Sequence, residues 1–286
     1  MHGDIYVTLK TENGWTVLPS SLKRSDGAPR FNLSFPAFYV DDIGARYLVA
    51  RETSNGYEVP TRNLIERLLQ RGDLLVDVGA HWGFFTLQAA THPAGEIAAV
   101  AFEPELMNAM ILTENIVKNS ISKAVTVVCA ACGHQYEVAP LATNSTMGHS
   151  IRGIGLPEAS RGPPKWVAVV PLDAALANLP QHAGRRIVLK IDAEGFEPNV
   201  VAGAAALLGG GRVAAIIWEC AHAASSEQGR RTMTAMTTFL GGYGFRHFRP
   251  LDHEVEGPLI TFDAGQPGYA GNVFSFAPQL AAALQV

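Results

Sequence analysis

The chain has 286 residues, of which 48% are hydrophobic, and it carries a formal net charge of −4 with a pI near 6.1. This length predicts one large α/β domain with a small extension, and the acidic balance argues against nucleic acid as a principal partner. No apolar run reaches the length of a membrane span, and the first residues lack the basic start and apolar core of a signal peptide, so we expect a cytoplasmic protein.

Residues 1–60 predict an N-terminal β-rich extension. Asn-Gly and Asp-Gly turn signals separate short β-favouring runs, which are residues 5–9, 15–18, 31–35, 38–40 and 47–49. We expect this extension to cover an edge of the main sheet or to form a wall of a substrate pocket, and the two roles are compatible.

The stretch from Leu74 to Leu87 predicts a ligand-binding turn. Apolar spacing in residues 61–70 indicates a helix, and Leu74–Val78 then reads as a buried strand. Gly79 and Gly83 bracket a tight turn into a helix that begins at Phe84. Such a turn lets a ligand approach the backbone and the free N–H groups at the start of the helix.

The next strand separates two classes of nucleotide ligand. Residues 97–102 form an apolar run that ends at Glu103 and Pro104, about twenty residues after Gly83, where an acid meets the hydroxyls of a ribose. No glycine lies between Gly79 and Gly83, so the dinucleotide fingerprint G-x-G-x-x-G is missing, which argues against NAD. An acid on the ribose without a pyrophosphate loop favours an adenosine with a short polar tail, such as S-adenosylmethionine.

Strands and helices continue to alternate along the chain. Further strands are predicted at 125–130, Ile187–Ile191, 213–218, 245–248 and 272–276, and helices at 106–119, 198–208 and 226–240. The alternation predicts a Rossmann-like, doubly wound, mainly parallel sheet within residues 61–286.

Residues 141–165 interrupt this alternation. They are rich in Gly, Ser, Pro and Arg and are too long for an ordinary connection. Two interpretations stay open, an inserted loop that acts as a lid over the site and a plain disordered insertion.

The three cysteines do not indicate a disulfide framework or a metal centre. Cys129 and Cys132 would point to opposite faces of a strand, and Cys220 has no pair to complete four ligands. We expect buried, structural thiols in a reducing compartment.

Several motifs together resemble the FkbM family of class I methyltransferases. They are Asp77-Val78-Gly79-Ala80 with Gly83, Phe102-Glu103-Pro104, Val170-Pro171-Leu172-Asp173, and Lys190-Ile191-Asp192-Ala193-Glu194-Gly195 with Glu197. The resemblance spans roughly residues 57–219. It implies a seven-stranded sheet that ends in an antiparallel hairpin, and S-adenosylmethionine as the methyl donor.

We expect the donor to lie along the glycine turn and the neighbouring strand ends. Glu103 is expected to bind the ribose, and the resemblance places Glu58 near the methionine end and Ala131 beside the adenine. The remaining candidates lie in or next to the turn or on the next helix, and are Asp77, Gly79, Ala80, His81, Gly83, Phe84, Pro104 and Asn108.

Acids at the strand ends are the candidate catalytic groups. Asp192 follows Ile187–Ile191 and is the leading general base or hydroxyl anchor, while Glu219 follows the next strand. His81 and His222 are alternative bases, because imidazole titrates near neutral pH. Asp192 and Glu219 could also bind magnesium through oxygen ligands, but the resemblance does not imply a metal and no metal is predicted.

The sequence therefore predicts an S-adenosylmethionine-dependent O-methyltransferase. By resemblance, its acceptor is the hydroxyl group of a sugar, glycolipid or other small natural product. The alternatives are a non-catalytic protein that binds S-adenosylmethionine or a nucleotide, and an NAD-dependent oxidoreductase. The sequence does not determine the oligomeric state, and a homodimer stays open.

Overall fold

The computed structural model describes residues 9–143, 149–151, 163–220, 226–252, 255–265 and 269–285. Within these residues the strands, in chain order, are Lys10–Glu12 (β1), Trp15–Pro19 (β2), Asn32–Pro36 (β3), Leu74–Val78 (β4), Ala98–Phe102 (β5), Val125–Val128 (β6), Ala131–Cys132 (β7), Glu137–Thr143 (β8), His149–Ile151 (β9), Lys165–Val170 (β10), Ile187–Ile191 (β11), Val213–Cys220 (β12), Arg246–Pro250 (β13), Leu259–Thr261 (β14) and Gly271–Phe276 (β15).

The helices of the same residues are mostly short. They are Ile43–Ser54 (α1), Val59–Leu68 (α2), Phe84–Ala90 (α3), Leu106–Lys118 (α4), Leu172–Ala177 (α5), Glu197–Ala202 (α6), Ala205–Gly209 (α7), Glu227–Gly241 (α8) and Pro278–Leu284 (α9). None of the described helices is long and apolar enough to cross a lipid bilayer.

The main sheet has the order β14-β13-β15-β12-β11-β4-β5-β6. The five strands from β12 to β6 run parallel, and β15, β13 and β14 pair antiparallel. The sheet is α/β and Rossmann-like, as predicted, but it has eight strands rather than seven. Short β14, which was not predicted, pairs antiparallel with β13 at the edge of the sheet.

The order of the strands places a switch point between β4 and β11. From β4 the chain moves outward through β5 to β6, and it later returns to the other side of β4 through β11 and β12. In open α/β sheets, ligands bind outside the carboxyl ends of the strands at such a point. The segments after Val78 and Ile191 therefore flank the expected binding crevice.

Among the described residues of the N-terminal region, two of the predicted strands do not form, and residues 5–8 of the predicted strand 5–9 lie outside the described residues. Residues 47–49 lie in α1, because Asp42 caps that helix by accepting hydrogen bonds from the N–H groups of Gly44 (2.8 Å) and Ala45 (3.1 Å). Residues 38–40 likewise form no strand, since Ala37–Tyr39 is a 3-10 helix. β1, β2 and β3 form a separate antiparallel sheet.

The N-terminal region packs on a face of the main sheet and not only at its edge. Phe31, Phe35 and Leu48 share one buried core with Leu75 of β4 and Val188 of β11. A second core fills the opposite face, where helices such as α6 and α8 pack on the other side of the same strands. The N-terminal region and the main sheet therefore form one continuous structure.

Two other predicted segments differ in the structure. The predicted helix 198–208 is divided into α6 and α7. The stretch 141–165 is not simply a loop, because its described parts extend β8, form β9 and begin β10 in a four-stranded sheet of order β7-β10-β8-β9. Residues 144–148 and 152–162 of this stretch lie outside the described residues.

The prediction that the cysteines are buried is confirmed for two of the three. Cys132 and Cys220 are buried, but Cys129 is exposed, because β6 ends at Val128 and leaves Cys129 in the following turn. All three are free thiols.

The close approach of β4 and β11 generates a stability prediction at Gly79. An added Cβ there would lie 1.8 Å from the Asp192 carbonyl oxygen, and the backbone φ is +75°. We expect Gly79→Ala to lower the free energy of unfolding by about 3 kcal/mol or more, through steric overlap and left-handed strain together.

Gly95→Ala is the matched control. Its φ is +71°, but nothing lies within 4 Å of the added Cβ, so only the strain of about 1 kcal/mol remains. Chemical denaturation of both variants measures the difference, and equal losses would contradict the proposed close approach.

Candidate functional site

Strand register brings the predicted site residues into one row. Val78 pairs with Phe102 on one side and with Ile191 on the other, and Ile191 pairs with Trp218. Glu103, Gly79 and Asp192 directly follow these strand ends, and Glu219 is the residue of β12 after Trp218. The four residues therefore lie side by side at one edge of the sheet.

A cleft opens at this edge. It is lined by apolar groups along most of its length and by a few charged groups. The predicted residues that line it are Gly79, Ala80, His81, Phe84, Glu103, Pro104, Ala131 and Asp192.

The glycine turn is held against the second strand. The N–H groups of Gly79 and Ala80 both donate to the Phe102 carbonyl oxygen, at 2.9 and 3.0 Å. Gly83 does not line the cleft, since it precedes α3 with φ +93° and a Cβ there would lie 2.3 Å from Leu112 of α4. Gly79 thus shapes the cleft, while Gly83 permits close helix packing.

Glu103 is a buried carboxylate that also organises the turn. Its side chain accepts hydrogen bonds from the N–H groups of His81 (2.8 Å) and Glu105 (2.9 Å). Burial raises the pKa of Glu103 to about 7, although these backbone hydrogen bonds act in the opposite direction. Each carboxylate oxygen can accept more than one hydrogen bond, so Glu103 keeps capacity for a ligand hydroxyl.

An aromatic stack supports the turn from behind. The His81 ring stacks on Trp82 at 4.5 Å between centroids, and Trp82 stacks on Phe35 at 4.8 Å. Asn108 does not line the cleft, because its amide oxygen accepts from the Trp82 indole N–H at 3.0 Å. Asn115 donates to the Trp82 carbonyl oxygen at 3.0 Å, so both asparagines position Trp82.

Lys190 lies among the acids and was missed by the sequence analysis. It is 3% exposed, lines the cleft, and donates from Nζ to Asp192 Oδ2 at 3.2 Å. Its Nζ also lies 4.0 Å from Asp77 Oδ1. Burial lowers the pKa of Lys190, but Asp192, Asp77 and Glu58 together hold it above its usual value. A lysine within the otherwise apolar strand Ile187–Ile191 was the available signal.

Asp77 lies beneath the turn and does not line the cleft. It is fully buried, and its Oδ2 accepts from the Thr86 hydroxyl at 2.7 Å. Burial raises the pKa of Asp77, while the Lys190 ammonium lowers it. Asp77 therefore links β4 to α3.

Asp192 and Glu219 form a hydrogen-bonded acid pair. Burial raises the pKa of Asp192, but the Lys190 ammonium and the hydrogen bond with Glu219 hold it below its usual value. Burial and the charge of Asp192 raise the pKa of Glu219 well above its usual value. The ionised form is therefore favoured at Asp192 and the protonated form at Glu219.

These two acids border a second cavity. Its walls include Glu58, Asn272 and Tyr47, and it shares Tyr57, Asp192 and Glu194 with the cleft. Glu58 accepts from the Asn272 side-chain amide at 2.8 Å, so it lies on this cavity rather than in the cleft.

Three carboxylates at this point are close together. One oxygen each of Asp192, Glu194 and Glu219 lies within 4.8 Å of the others. The hydrogen bond between Asp192 and Glu219 accounts for the closeness of two of the three.

Glu197 stabilises the loop that carries Asp192. Its Oε1 accepts from the N–H groups of Ala193 and Gly195, both at 3.1 Å. It is 2% exposed, and burial raises its pKa to about 7. Glu197 therefore shapes this loop, and it is also the first residue of α6.

The N-terminal region forms part of the cleft wall. Leu33 of β3, Leu48 of α1 and the buried Tyr57 line it. His222, the alternative base, lies outside the described residues.

Comparisons with known proteins point to one family. A family model described as a methyltransferase FkbM domain matches residues 77–247. No curated protein matches the chain.

The chain is also similar to solved structures of methyltransferases. Methyltransferase FkbM from Methylobacillus flagellatus KT is 14% identical, with 73% of this chain and 45% of that chain covered and a TM-score of 0.47. A putative O-methyltransferase from Klebsiella pneumoniae is 13% identical over 81% of this chain and 88% of that chain, with a TM-score of 0.44. An O-methyltransferase from Bacillus cereus, solved in complex with SAH, is 12% identical over 82% and 86%, with a TM-score of 0.44. The chain thus spans less than half the length of the first of these proteins.

The raised pKa of Glu197 predicts how stability depends on pH. Between about pH 4.5 and 7 the folded chain keeps a proton that the unfolded chain releases, so the free energy of unfolding falls as the pH rises through this range. Glu197→Gln keeps an oxygen for the two N–H groups and removes the titration. We expect its free energy of unfolding to fall less than that of the wild type between pH 5 and 8, by about 1–3 kcal/mol.

Denaturation at several pH values measures this difference. Glu227→Gln is the control, since its side chain is 72% exposed. The same pH dependence in Glu197→Gln and wild type would contradict the assignment.

Proposed function

The chain belongs to the FkbM methyltransferase family, whose model matches more than half of its 286 residues, and we propose that it transfers a methyl group from S-adenosylmethionine to a hydroxyl group of a small molecule. One observation carries the proposal. Glu103, the glycine turn and Asp192 follow three adjacent parallel strands and line one cleft at the switch point.

The cleft fits an adenosine-based donor. Gly79 and Ala80 of the turn line the cleft together with Glu103, while Phe84, Phe102 and Ala131 supply apolar walls. Glu103 would bind the ribose hydroxyls with its remaining acceptor capacity. Bound S-adenosylmethionine supplies an electrophilic methyl group on a sulfonium ion.

Asp192 is suited to handle the acceptor hydroxyl. Methyl transfer depends mainly on alignment of the two reactants, with one proton to be removed. Asp192 lies at the strand end next to the glycine turn and is kept ionised by Lys190. It would accept a hydrogen bond from the hydroxyl and take its proton, and the adjoining second cavity offers space for the rest of the acceptor.

The class of acceptor follows from the walls near Asp192. Tyr47, Tyr57 and Phe274 provide ring faces, while Asn272 and the carboxylates provide polar groups for neighbouring hydroxyls. A hydroxylated molecule such as a sugar, a glycolipid headgroup or a natural product fits such walls.

Binding and transfer experiments test the proposal. Calorimetry with S-adenosylmethionine, S-adenosylhomocysteine and NAD identifies the ligand, and labelled methyl transfer to a panel of hydroxylated acceptors tests turnover. Binding of NAD alone would favour an oxidoreductase. Donor binding without transfer to any acceptor of the panel would favour the non-catalytic alternative.

Glu103→Ala tests the donor site. Because this variant removes the ribose acceptor, we expect the affinity for S-adenosylhomocysteine to fall at least about ten-fold in calorimetry. Glu227→Ala, at an exposed position, should bind like the wild type. Unchanged binding by a folded Glu103→Ala protein would place the ribose elsewhere.

Asp192→Asn tests the proton acceptor. The amide keeps a similar shape but cannot take a proton, so we expect the transfer rate to fall about 100-fold or more. Donor affinity should change by less than about three-fold, since Asp192 is assigned to the acceptor. A variant with the wild-type rate would move the proton role to His81 or His222.

A further inference from the structure

Lys190 has hydrogen-bonding capacity that the folded chain does not use. A lysine ammonium has three N–H donors, and Nζ makes one hydrogen bond among the described residues, to Asp192 at 3.2 Å. The side chain is 3% exposed and lines the cleft, so its other donors have little contact with bulk solvent. Buried polar groups normally have partners, so the unused donors indicate a ligand.

The carboxylate of Asp77, next to Lys190, also has an unused hydrogen-bond acceptor. Asp77 Oδ1 has no hydrogen-bond partner within the described part of the chain, and it lies 4.0 Å from the Lys190 ammonium, beyond hydrogen-bond distance. The Phe85 ring lies on another side of Lys190, with its centroid 5.0 Å from Nζ. Lys190 is therefore held in place by charge and by a ring face, while part of its hydrogen-bonding capacity stays unused.

Lys190 is the single lysine or arginine among the described residues that line the cleft. Its position on β11 is two residues before Asp192 and beside Asp77 of β4 in the strand register. A ligand that carries a carboxylate would meet this cation at the switch point. S-adenosylmethionine carries such a carboxylate at its amino-acid end.

We propose that Lys190 binds the carboxylate of the methyl donor's amino-acid end. The inference rests on the proposed function, because it assumes that S-adenosylmethionine is the ligand of this cleft. A charge-assisted hydrogen bond from the ammonium to this carboxylate would use a donor that the folded chain leaves over. Lys190 thereby makes the cleft selective for the complete amino acid over shorter adenosyl compounds.

Decarboxylated S-adenosylmethionine is the matched probe. It keeps the sulfonium and the ammonium and lacks only the carboxylate. Calorimetry compares its affinity with that of S-adenosylmethionine for wild type, Lys190→Gln and Lys190→Arg. Lys190→Gln is chosen because its amide can still donate to Asp192, and Lys118→Met removes the same charge from a surface position that pairs with Glu114.

The expected result is a change in preference between the two ligands. Wild type and Lys118→Met should bind S-adenosylmethionine at least about ten-fold more tightly than the decarboxylated probe, Lys190→Arg should keep part of this preference, and Lys190→Gln should reduce it to about two-fold or less. The pairwise comparison isolates the contact between the side chain and the carboxylate.

Two results would overturn the inference. The first is a preference that persists in Lys190→Gln, whether or not both ligands bind more weakly. The second is a wild-type protein that binds both ligands equally. A wild-type protein that binds neither ligand would instead contradict the proposed function. Binding of 5′-methylthioadenosine, which lacks the amino-acid end, shows that a variant retains its cleft.

Discussion

The geometry of the candidate site depends on a backbone contact between the residues that follow β4 and β11. Gly79, at the end of β4, lies so close to the Asp192 carbonyl that any side chain would overlap it, and the Asp192 N–H donates to the Val78 carbonyl oxygen at 3.0 Å. This contact extends the pairing of β4 and β11 by one residue beyond the regular strands. It fixes the position of the glycine turn, which is proposed to bind the methyl donor, relative to Asp192, which is proposed to accept the proton.

A single buried lysine balances much of the negative charge around this contact. Asp77, Asp192 and Glu58 all raise the pKa of Lys190, while burial and neighbouring acids raise the pKa of Glu219. Desolvation and like charges both favour the neutral form of a carboxylic acid. The site can therefore hold acids in different protonation states within a short distance, and it gives Asp192 the ionised form that proton acceptance requires.

The sequence predicts the central part of the fold better than its periphery. Leu74–Val78 and Ile187–Ile191 are buried apolar runs next to glycines or acids, and both are strands with the predicted bounds. The prediction of a strand at residues 47–49 was wrong. The β-propensity of Tyr and Val is a local signal, whereas the Asp42 cap and the burial of Leu48 favour a helix. The strands at 137–143 and 165–170 were missed because each is stable only through pairing with a distant partner.

The residues of the candidate site were likewise only partly predictable from the local sequence. Glycine spacing and the acids after the strands could be recognised along the chain, and Gly79, Glu103 and Asp192 do line one cleft. The roles of Lys190, Asn108 and Glu197 depend on neighbours that only folding brings together. Asn108, for example, is 26 positions from Trp82, whose indole it binds.

Leu33, Leu48 and Tyr57 give the N-terminal region a part in the cleft wall as well as in the core. Because these side chains serve both purposes, substitutions that change ligand selectivity there also change the stability of the fold. Directed evolution of new selectivity in this scaffold is therefore constrained on its N-terminal side, where compensating core substitutions would have to accompany each gain.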